Sequence, residues 1–141
     1  MNIQYQSWCE ANFRAVNKFY KKQKHKGSAS GDEQVFVAYQ EEDIVAAVRL
    51  VPYDGYFWLR SLYVEQALRG QGIGLALLAQ VHTSIDLDIH CFPYDHLAHF
   101  YTLAGYHMAD TLPPSLQQLY ERYSSRGEKI IAMSRTSQVI V

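Results

Sequence analysis

Three glycines close together form the stretch of this sequence whose residue types and spacing best suit chemistry. Gly70, Gly72 and Gly74 stand between an apolar stretch typical of a buried strand, residues 56–64, and a stretch rich in Leu and Ala that predicts a helix, residues 75–81. Glycine allows positive φ and lets a ligand approach the backbone closely. The first amides of the following helix lack intrahelical partners and lie at the positive end of its dipole. The sequence therefore predicts an anion-binding turn, best suited to a phosphate or pyrophosphate.

Two common phosphate-binding motifs do not fit this turn. The dinucleotide-binding pattern G-x-G-x-x-G would need glycine at position 75 or 77, where the chain has Leu75 and Leu77. A P-loop needs Gly-Lys followed by Ser or Thr before its helix, and this turn has no such sequence. What remains is Arg69-Gly70-Gln71-Gly72-Ile73-Gly74.

This hexapeptide resembles the R/Q-x-x-G-x-G/A signature of the GNAT superfamily of N-acetyltransferases, which bind acetyl-coenzyme A. Arg69, Gly72 and Gly74 occupy the fixed positions of the signature, and the preceding apolar stretch, which ends in Tyr63-Val64, is similar to the family's fourth strand. The alternative is a glycine-rich turn that binds no ligand. The strand and the helix on either side favour the motif, because they are the context in which it works.

The resemblance implies a binding site for acetyl-coenzyme A, used as a co-substrate. Its pyrophosphate would lie on the amides of the turn. Its thioester would lie along the end of the preceding strand, where a backbone amide would polarise the thioester carbonyl. The residues assigned in this way to the cofactor are Leu62, Tyr63, Val64, Arg69, Gly70, Gln71, Gly72, Ile73 and Gly74.

A second group of candidates lies in residues 85–92, where apolar and polar side chains alternate as in a half-buried strand. One face carries Asp86, Asp88 and His90. This face is either exposed at a sheet edge or forms an acid/base or amine-binding surface in a cleft. An amine must be neutral to attack a thioester, so a base must take its proton, directly or through water. His90 is the best candidate because histidine titrates near neutral pH, and the two aspartates are weaker ones.

Residues 99–106 carry a second resemblance to the GNAT family. Their sequence, His-Phe-Tyr-Thr-Leu-Ala-Gly-Tyr, looks like the family's late helix, roughly A-x-x-F-Y-x-x-x-G-F. Tyr101 matches the tyrosine that usually protonates the leaving thiolate, and Gly105 is expected to cap the helix. The alternative role of Tyr101 is a core tyrosine bonded to a backbone carbonyl. The asparagine that the family often places earlier in this helix is absent from residues 93–96, so the side chain that holds the pantetheine arm is not identified.

Cys91, His96 and His99 suggest a metal site at first sight, because the two histidines are three residues apart on a predicted helix. A closed zinc site needs four ligands, and no fourth ligand has a convincing spacing. We therefore expect no metal cofactor.

Composition and charge narrow the function classes. The 141 residues are expected to form one domain, residues 1–141, and the hydrophobic and charged fractions, 48% and 19%, are ordinary for a globular protein. A net charge of −1 gives no overall attraction to nucleic acid or to an anionic membrane, and no apolar run is long enough to span a bilayer. The first residues lack the pattern of a signal peptide, and two cysteines are too few for a disulfide framework, so a cytoplasmic location is expected.

The order of apolar and turn-forming segments predicts the elements of the fold. Together with the resemblance, it implies a mixed α/β sheet of six or seven strands with helices on both faces. Strands are predicted over residues 2–7, 34–40, 44–51, 56–64, 85–92, 106–111 and 130–133. Helices are predicted over residues 9–24, from the glycine turn to 82, from Pro93 to 104 and from Ser115 to 122. Residues 136–141 are expected to be a strand, a tail or a partner contact. Arg49 and Arg60 lie inside apolar strands, where each either pairs with an acidic residue or faces a substrate carboxylate.

The resemblance implies acetyl transfer from acetyl-coenzyme A to a primary amine by direct attack, in a monomer or homodimer. The acceptor would be a small molecule or a peptide, and the sequence does not name it. The alternative is a sensor of the same fold that binds acyl-coenzyme A without turnover. A nucleic-acid-binding module is a third hypothesis, based on five lysines near the end of the first helix, but clustered charges usually form a solvated face. These lysines are Lys18, Lys21, Lys22, Lys24 and Lys26.

Overall fold

The structure is a computed structural model and describes residues 2–138. Its strands are β1 (Ile3–Ser7), β2 (Gln34–Gln40), β3 (Asp43–Pro52), β4 (Tyr56–Val64), β5 (Asp88–Cys91), β6 (His107–Met108) and β7 (Met133–Arg135). Its α-helices are α1 (Arg14–Lys22), α2 (Ile73–Ser84), α3 (Ala98–Leu103) and α4 (Pro114–Ser125), and short 3₁₀ turns occupy Gln66–Leu68 and Asp95–Leu97.

The strands of the described residues form one seven-stranded sheet in the order β1-β2-β3-β4-β5-β7-β6. The pairs β1–β2, β2–β3, β5–β7 and β6–β7 are antiparallel. β4 and β5 are neighbours in the sheet and are joined through α2, which is the crossover that a parallel pair requires. The predicted mixed α/β sheet is therefore confirmed.

The chain divides into two compact units. The first comprises Met1–Pro52 with Leu59–Ile85, and the second comprises Tyr53–Trp58 with Asp86–Val141. β4 begins in the second unit and continues into the first. The prediction of a single domain over residues 1–141 stays a prediction.

In the first unit, both faces of β2 are covered. Val37 packs with Val16 and Phe19 of α1. Phe36 and Ala38 point to the opposite face, because side chains alternate along a strand, and they are equally buried. α2 packs on β1, β2 and β3, so it covers this second face. The glycine turn at the start of α2 is thus held on a rigid layer of the fold.

In the second unit, β7 lies between β5 and β6. The register places His90 of β5 opposite Ser134 of β7, and Cys91 opposite Met133. α4 contributes Leu116 to the core. β5 therefore has its candidate base and its thiol fixed by pairing with β7.

Several strands have the predicted bounds. β2 and β4 match at both ends, β1 begins one residue later, and β3 extends one residue further at each end. The prediction for residues 85–92 is wrong at both ends, since β5 spans only Asp88–Cys91. The amide of Ile85 still donates to the carbonyl of Val81, which keeps residue 85 with the end of α2.

The first helix begins five residues later than predicted, at Arg14 rather than residue 9. The side-chain oxygen of Asn12 accepts a hydrogen bond from the Arg14 amide at 2.9 Å, and the indole of Trp8 donates to the Asn12 carbonyl at 2.9 Å. The residues before Arg14 therefore form a turn in which Asn12 satisfies one of the first amides of the helix.

Pro93 does not start a helix, and this prediction is wrong. Its carbonyl accepts from the amide of Ile131 at 2.9 Å, and the amide of Asp95 donates to the carbonyl of Lys129 at 2.9 Å. Residues 93 and 94 are extended because this segment pairs with residues 129–131, a short 3₁₀ turn follows at Asp95–Leu97, and α3 starts only at Ala98. The last strand, predicted over residues 130–133, is instead β7, because residues 133–135 are the ones that pair with β5.

Two smaller corrections concern the region between β6 and α4. The strand predicted over residues 106–111 spans only His107–Met108. Ser115 does not cap the following helix, because Pro113 is the capping residue and Pro114 occupies the first turn, where its missing N–H costs nothing. Residues 136–138 are not a strand, and the rest of the predicted segment, residues 139–141, lies outside the described residues.

Candidate active site

The predicted anion-binding turn has the backbone that its glycines allow. Gly70 has φ +81° and Gly72 has φ +83°, a left-handed conformation that residues with a side chain rarely adopt. A Cβ at either position would meet no atom within 4 Å. Glycine is therefore required here by the backbone conformation, and the space in front of the turn is open.

The amides at the start of α2 are available to a ligand. The Ala76 amide donates to the Gly72 carbonyl at 3.0 Å, as the first hydrogen bond of the helix requires. The amides of Ile73, Gly74 and Leu75 precede it and have no intrahelical acceptor. They lie at the positive end of the helix dipole, which favours an anion. The donor set suits the diphosphate of coenzyme A, and it uses backbone groups rather than side chains.

Arg69 connects the turn to the end of β4. Its Nε donates to the carbonyl of Val64 at 3.0 Å, and its guanidinium lies 4.9 Å from the centre of the Tyr63 ring. The structure thus brings together three of the residues predicted to bind the cofactor. A positive charge is held in this way beside the helix N-terminus, where it adds to the attraction for a phosphate.

β4 carries an irregularity that the sequence did not predict. Ser61 has φ +59°, directly before the residues assigned to the thioester, Leu62–Val64. Its carbonyl accepts a hydrogen bond from the Tyr20 hydroxyl at 2.7 Å. No sequence signal marks this residue, because serine in a strand is ordinary and its partner is far away in the chain.

The second unit contains the candidate base. His90 is only 6% exposed, and its Nδ1 lies 2.6 Å from the hydroxyl oxygen of Ser134. Burial lowers the pKa of His90 below its ordinary value; Asp88 opposes this shift and His107 adds to it. The imidazole is therefore neutral at neutral pH. When Nδ1–H donates to Ser134, Nε2 keeps the lone pair that a base needs.

The polar face predicted for residues 85–92 is divided in the structure. Asp88 and His90 line a cavity of about 420 Å³ in the second unit, whereas Asp86 is not part of its lining. The Asp88 carboxylate accepts a hydrogen bond from the Ser137 amide at 2.7 Å. Further polar residues of the lining come from the other strands of this unit and the segment that follows β6: His107, Asp110, Thr111, Ser134 and Thr136.

Tyr101 is buried, as predicted for the inner side of its helix. It is 6% exposed and contacts the rings of Phe100 and Tyr106. Burial raises the pKa of its hydroxyl, and Cys91 raises it further. Tyr101 therefore keeps its proton at neutral pH, because its pKa lies above the ordinary value. Gly105, with φ +98°, ends α3 as predicted.

The metal interpretation has no geometric basis in the described residues. Within residues 2–138, no group of three or more His, Cys, Asp or Glu side chains is placed to hold a metal ion. Cys91 is buried, and burial raises the pKa of its thiol. His96 and His99 are exposed.

Arg49 pairs with an acidic residue, the first of the two alternatives for arginines inside apolar strands. Its Nε lies 2.8 Å from a carboxylate oxygen of Glu33.

Among residues 2–138, no helix is both long enough and apolar enough to cross a membrane.

Solved structures define the class of fold. N-acetylglutamate synthase from Neisseria gonorrhoeae, complexed with coenzyme A and N-acetyl-glutamate, aligns with a TM-score of 0.69 at 14% identity, covering 99% of this chain and 36% of that one. The chain therefore spans about a third of that synthase. Escherichia coli ElaA aligns at 0.67 and 17% identity, covering 95% and 99% of the two chains. A GNAT-family acetyltransferase from Staphylococcus aureus Mu50 aligns at 0.67 and 18%, covering 95% and 98%.

The sequence itself assigns the family. Residues 31–123 match the model of the acetyltransferase (GNAT) domain, which is more than half of the chain. The chain therefore belongs to the GNAT acetyltransferase family, as its glycine turn predicted. A search of curated protein sequences found no match.

Proposed function

We propose that this protein is an N-acetyltransferase that transfers the acetyl group of acetyl-coenzyme A to a primary amine by direct attack. The observation that carries the proposal is the left-handed backbone at Gly70 and Gly72, directly before α2, in a chain of the GNAT family. Similarity to an acetyltransferase complexed with coenzyme A supports the choice of cofactor.

The cofactor is proposed to bind mainly through backbone groups. The amides of residues 70–75 and the Arg69 guanidinium would hold the pyrophosphate. A backbone amide of Leu62–Val64 would donate to the thioester oxygen, which gains negative charge as the tetrahedral intermediate forms. Coenzyme A supplies the activated acyl group, and the chain supplies its binding and orientation.

Two side chains of the second unit are proposed to move protons. The amine nitrogen attacks the thioester carbonyl carbon, the carbon–sulfur bond breaks, and the nitrogen must lose a proton. His90 would accept that proton, directly or through water, because its lowered pKa keeps the imidazole neutral. Tyr101 would donate a proton to the thiolate, because its raised pKa keeps the phenol protonated. The phenolate that this leaves is reprotonated from solvent.

The acceptor is proposed to be a small-molecule or peptide amine, rather than nucleic acid or a membrane. The cavity beside His90 supports this choice, because Asp88 and Asp110 line it and carboxylates attract an ammonium group. The amine would arrive charged and lose a proton before attack.

An acceptor screen tests the proposal. The protein and acetyl-coenzyme A are mixed with diamines, amino acids, aminoglycosides or peptides, and coenzyme A release is followed with a thiol reagent. The Cys9→Ser variant serves as the enzyme stock, because Cys9 is the exposed thiol of the described residues and would react with the reagent. Acceptor-dependent release over a no-acceptor control is expected. Tight binding of acetyl-coenzyme A with no release for any acceptor would support the sensor instead, and no binding would reject both.

A further inference from the structure

The left-handed residue of β4 is held by side chains rather than by glycine. Ser61 has φ +59°, a conformation that its Cβ disfavours. A residue of this kind inside a strand bends the strand and interrupts its ladder, and it persists only where its surroundings impose it. Contacts around Ser61 must therefore impose its left-handed conformation.

Three side chains from other parts of the first unit hold Ser61. The Tyr20 hydroxyl donates to its carbonyl at 2.7 Å. Arg49 Nη1 donates to its hydroxyl oxygen at 2.9 Å, and His25 Nε2 lies 3.0 Å from the same oxygen. Burial is the main cause of the lowered pKa of His25, and Arg49 and Arg60 lower this pKa further. The ring is therefore neutral and can accept a hydrogen bond from the Ser61 hydroxyl.

Arg49 is itself fixed. Its Nε and Nη2 donate to the two carboxylate oxygens of Glu33 at 2.8 and 2.9 Å. The side chains of this pair are 7% and 10% exposed. A two-point pair of this kind fixes the orientation of the guanidinium, so Nη1 is directed at Ser61. We call Tyr20, His25, Glu33, Arg49 and Ser61 the Ser61 cluster.

Gly27 closes the cluster on one side. A Cβ at this position would lie 2.7 Å from the Ser61 hydroxyl oxygen, and 2.9 Å from both Arg49 Nη1 and His25 Nε2. Contacts this short are not tolerated, so glycine is needed at residue 27 for close approach. The backbone of the loop and the side chains of the cluster are therefore packed as one unit.

We propose that the Ser61 cluster positions the backbone of Leu62–Val64 toward the thioester of acetyl-coenzyme A; this rests on the proposed function. The cluster anchors the segment at its start. At its end, Arg69 Nε donates to the Val64 carbonyl at 3.0 Å, and the amide of Glu65 donates to the Val45 carbonyl at 2.8 Å. A segment of three residues between two anchored points has little freedom, so the direction of its amides depends on the conformation at Ser61.

Two variants and a matched control test this role. Gly27→Ala forces the cluster apart, and Tyr20→Phe removes one hydrogen bond to Ser61 while it keeps the ring. Gly31→Ala adds a Cβ in the same loop at φ +61°, where no atom lies within 4 Å. It strains the loop without reaching the cluster, so it controls for a general loss of stability.

The readouts are the dissociation constants for coenzyme A and acetyl-coenzyme A, from calorimetry, and the ¹⁵N amide shifts of residues 62–64. In the wild type, acetyl-coenzyme A should move these amides further than coenzyme A does. Gly27→Ala should reduce this difference by half or more and weaken the binding of acetyl-coenzyme A on the order of tenfold, as expected for the loss of one hydrogen bond to the thioester oxygen. Tyr20→Phe should act in the same direction, by about threefold. Binding of coenzyme A itself should change little in both.

The outcomes separate the two proposals. If Gly27→Ala and Tyr20→Phe behave like Gly31→Ala at residues 62–64, the cluster only stabilises the fold and the inference is overturned while the proposed function stands. If the wild type binds neither coenzyme A nor acetyl-coenzyme A, the proposed function fails and the inference fails with it. If Gly27→Ala does not fold, Tyr20→Phe decides alone.

Discussion

The glycine turn before α2 and the region around β5 and α3 prepare different groups for chemistry. At the turn, the groups are the backbone amides at the start of α2, and the left-handed glycines that precede them, Gly70 and Gly72, are exposed. Around β5 and α3, they are the side chains of His90 and Tyr101, each 6% exposed, and burial shifts both pKa values in the direction that leaves the group neutral. In the proposed function, binding therefore depends on backbone conformation, and proton transfer depends on burial.

This difference says which substitutions matter in each region. At the turn, replacing a left-handed glycine should matter more than replacing an exposed side chain such as that of Arg69. Around β5 and α3, removing one polar atom from a proposed catalytic side chain should change the chemical rate while the fold stays intact. The predictions that follow test each half of this contrast.

Gly72→Val should have the largest effect. Valine at φ +83° costs about 1–2 kcal/mol, and its β-branched side chain would stand where the pyrophosphate approaches. Acetyl-coenzyme A at 100 times its Kd should stabilise the wild type by about 2.7 kcal/mol in thermal unfolding, and the variant by close to zero. Gly31→Val, also at positive φ in open space, is the control and should keep the full shift. A folded Gly72→Val protein with normal binding would show that the anion site is elsewhere.

Tyr101→Phe should lower the chemical rate on the order of 10²-fold, because it removes the proposed proton donor and nothing else. Affinity for acetyl-coenzyme A should barely change, since the contact matters only as the thiolate develops. The free energy of unfolding should change by about 1 kcal/mol or less. Single-turnover kinetics measure the chemical step directly. A wild-type rate in the folded variant would mean that Tyr101 is a core residue with no role as the acid. Tyr106→Phe, which changes the neighbouring buried ring, is the comparison.

His90→Gln should lower the rate less, on the order of tenfold, because water can carry the proton in its place. Its signature is the pH profile. The pKa of His90 lies below the ordinary value near 6.5. The wild-type rate should therefore fall as the pH decreases through this lowered pKa, because the imidazole takes up a proton. The variant should lack this acidic limb. The same limb in both proteins would assign the base to another group or to the acceptor itself.

Arg69→Ala should have the smallest effect. An exposed charge is worth about 1 kcal/mol or less, so acetyl-coenzyme A should bind about two- to fivefold more weakly. The loss should shrink as salt is raised, because salt screens exposed charges. Calorimetry at two salt concentrations measures both. A loss near that of Gly72→Val would mean that side chains rather than amides dominate the turn, against the contrast drawn above.

Much of the fold and of the binding turn could be predicted from the sequence, because the signals are local. The bounds of β2 and β4 follow from apolar runs between turns, and Gly72 and Gly105 have the left-handed conformation that their motifs require. The start of α1 was missed because Asn12, not the apolar stripe, fixes it.

The rest depends on contacts between distant parts of the chain. Pro93 is extended because residues 129–131 pair with it, which no local pattern reveals. Ser61 is left-handed because side chains 12 to 41 residues away hold it. The partner of His90, Ser134, is 44 residues away, so alternation along β5 could suggest a polar face but not a buried imidazole.

An amide-resolved titration tests the central claim most directly. Wild-type ¹⁵N-labelled protein is titrated with acetyl-coenzyme A, and the shift of each backbone amide is followed. The amides of residues 70–75 should move most, with saturation at the Kd found by calorimetry, and Gly72→Val should abolish these shifts. Saturable binding that leaves residues 70–75 unmoved, or no binding at millimolar cofactor, would contradict the assignment of the glycine turn as the coenzyme A site.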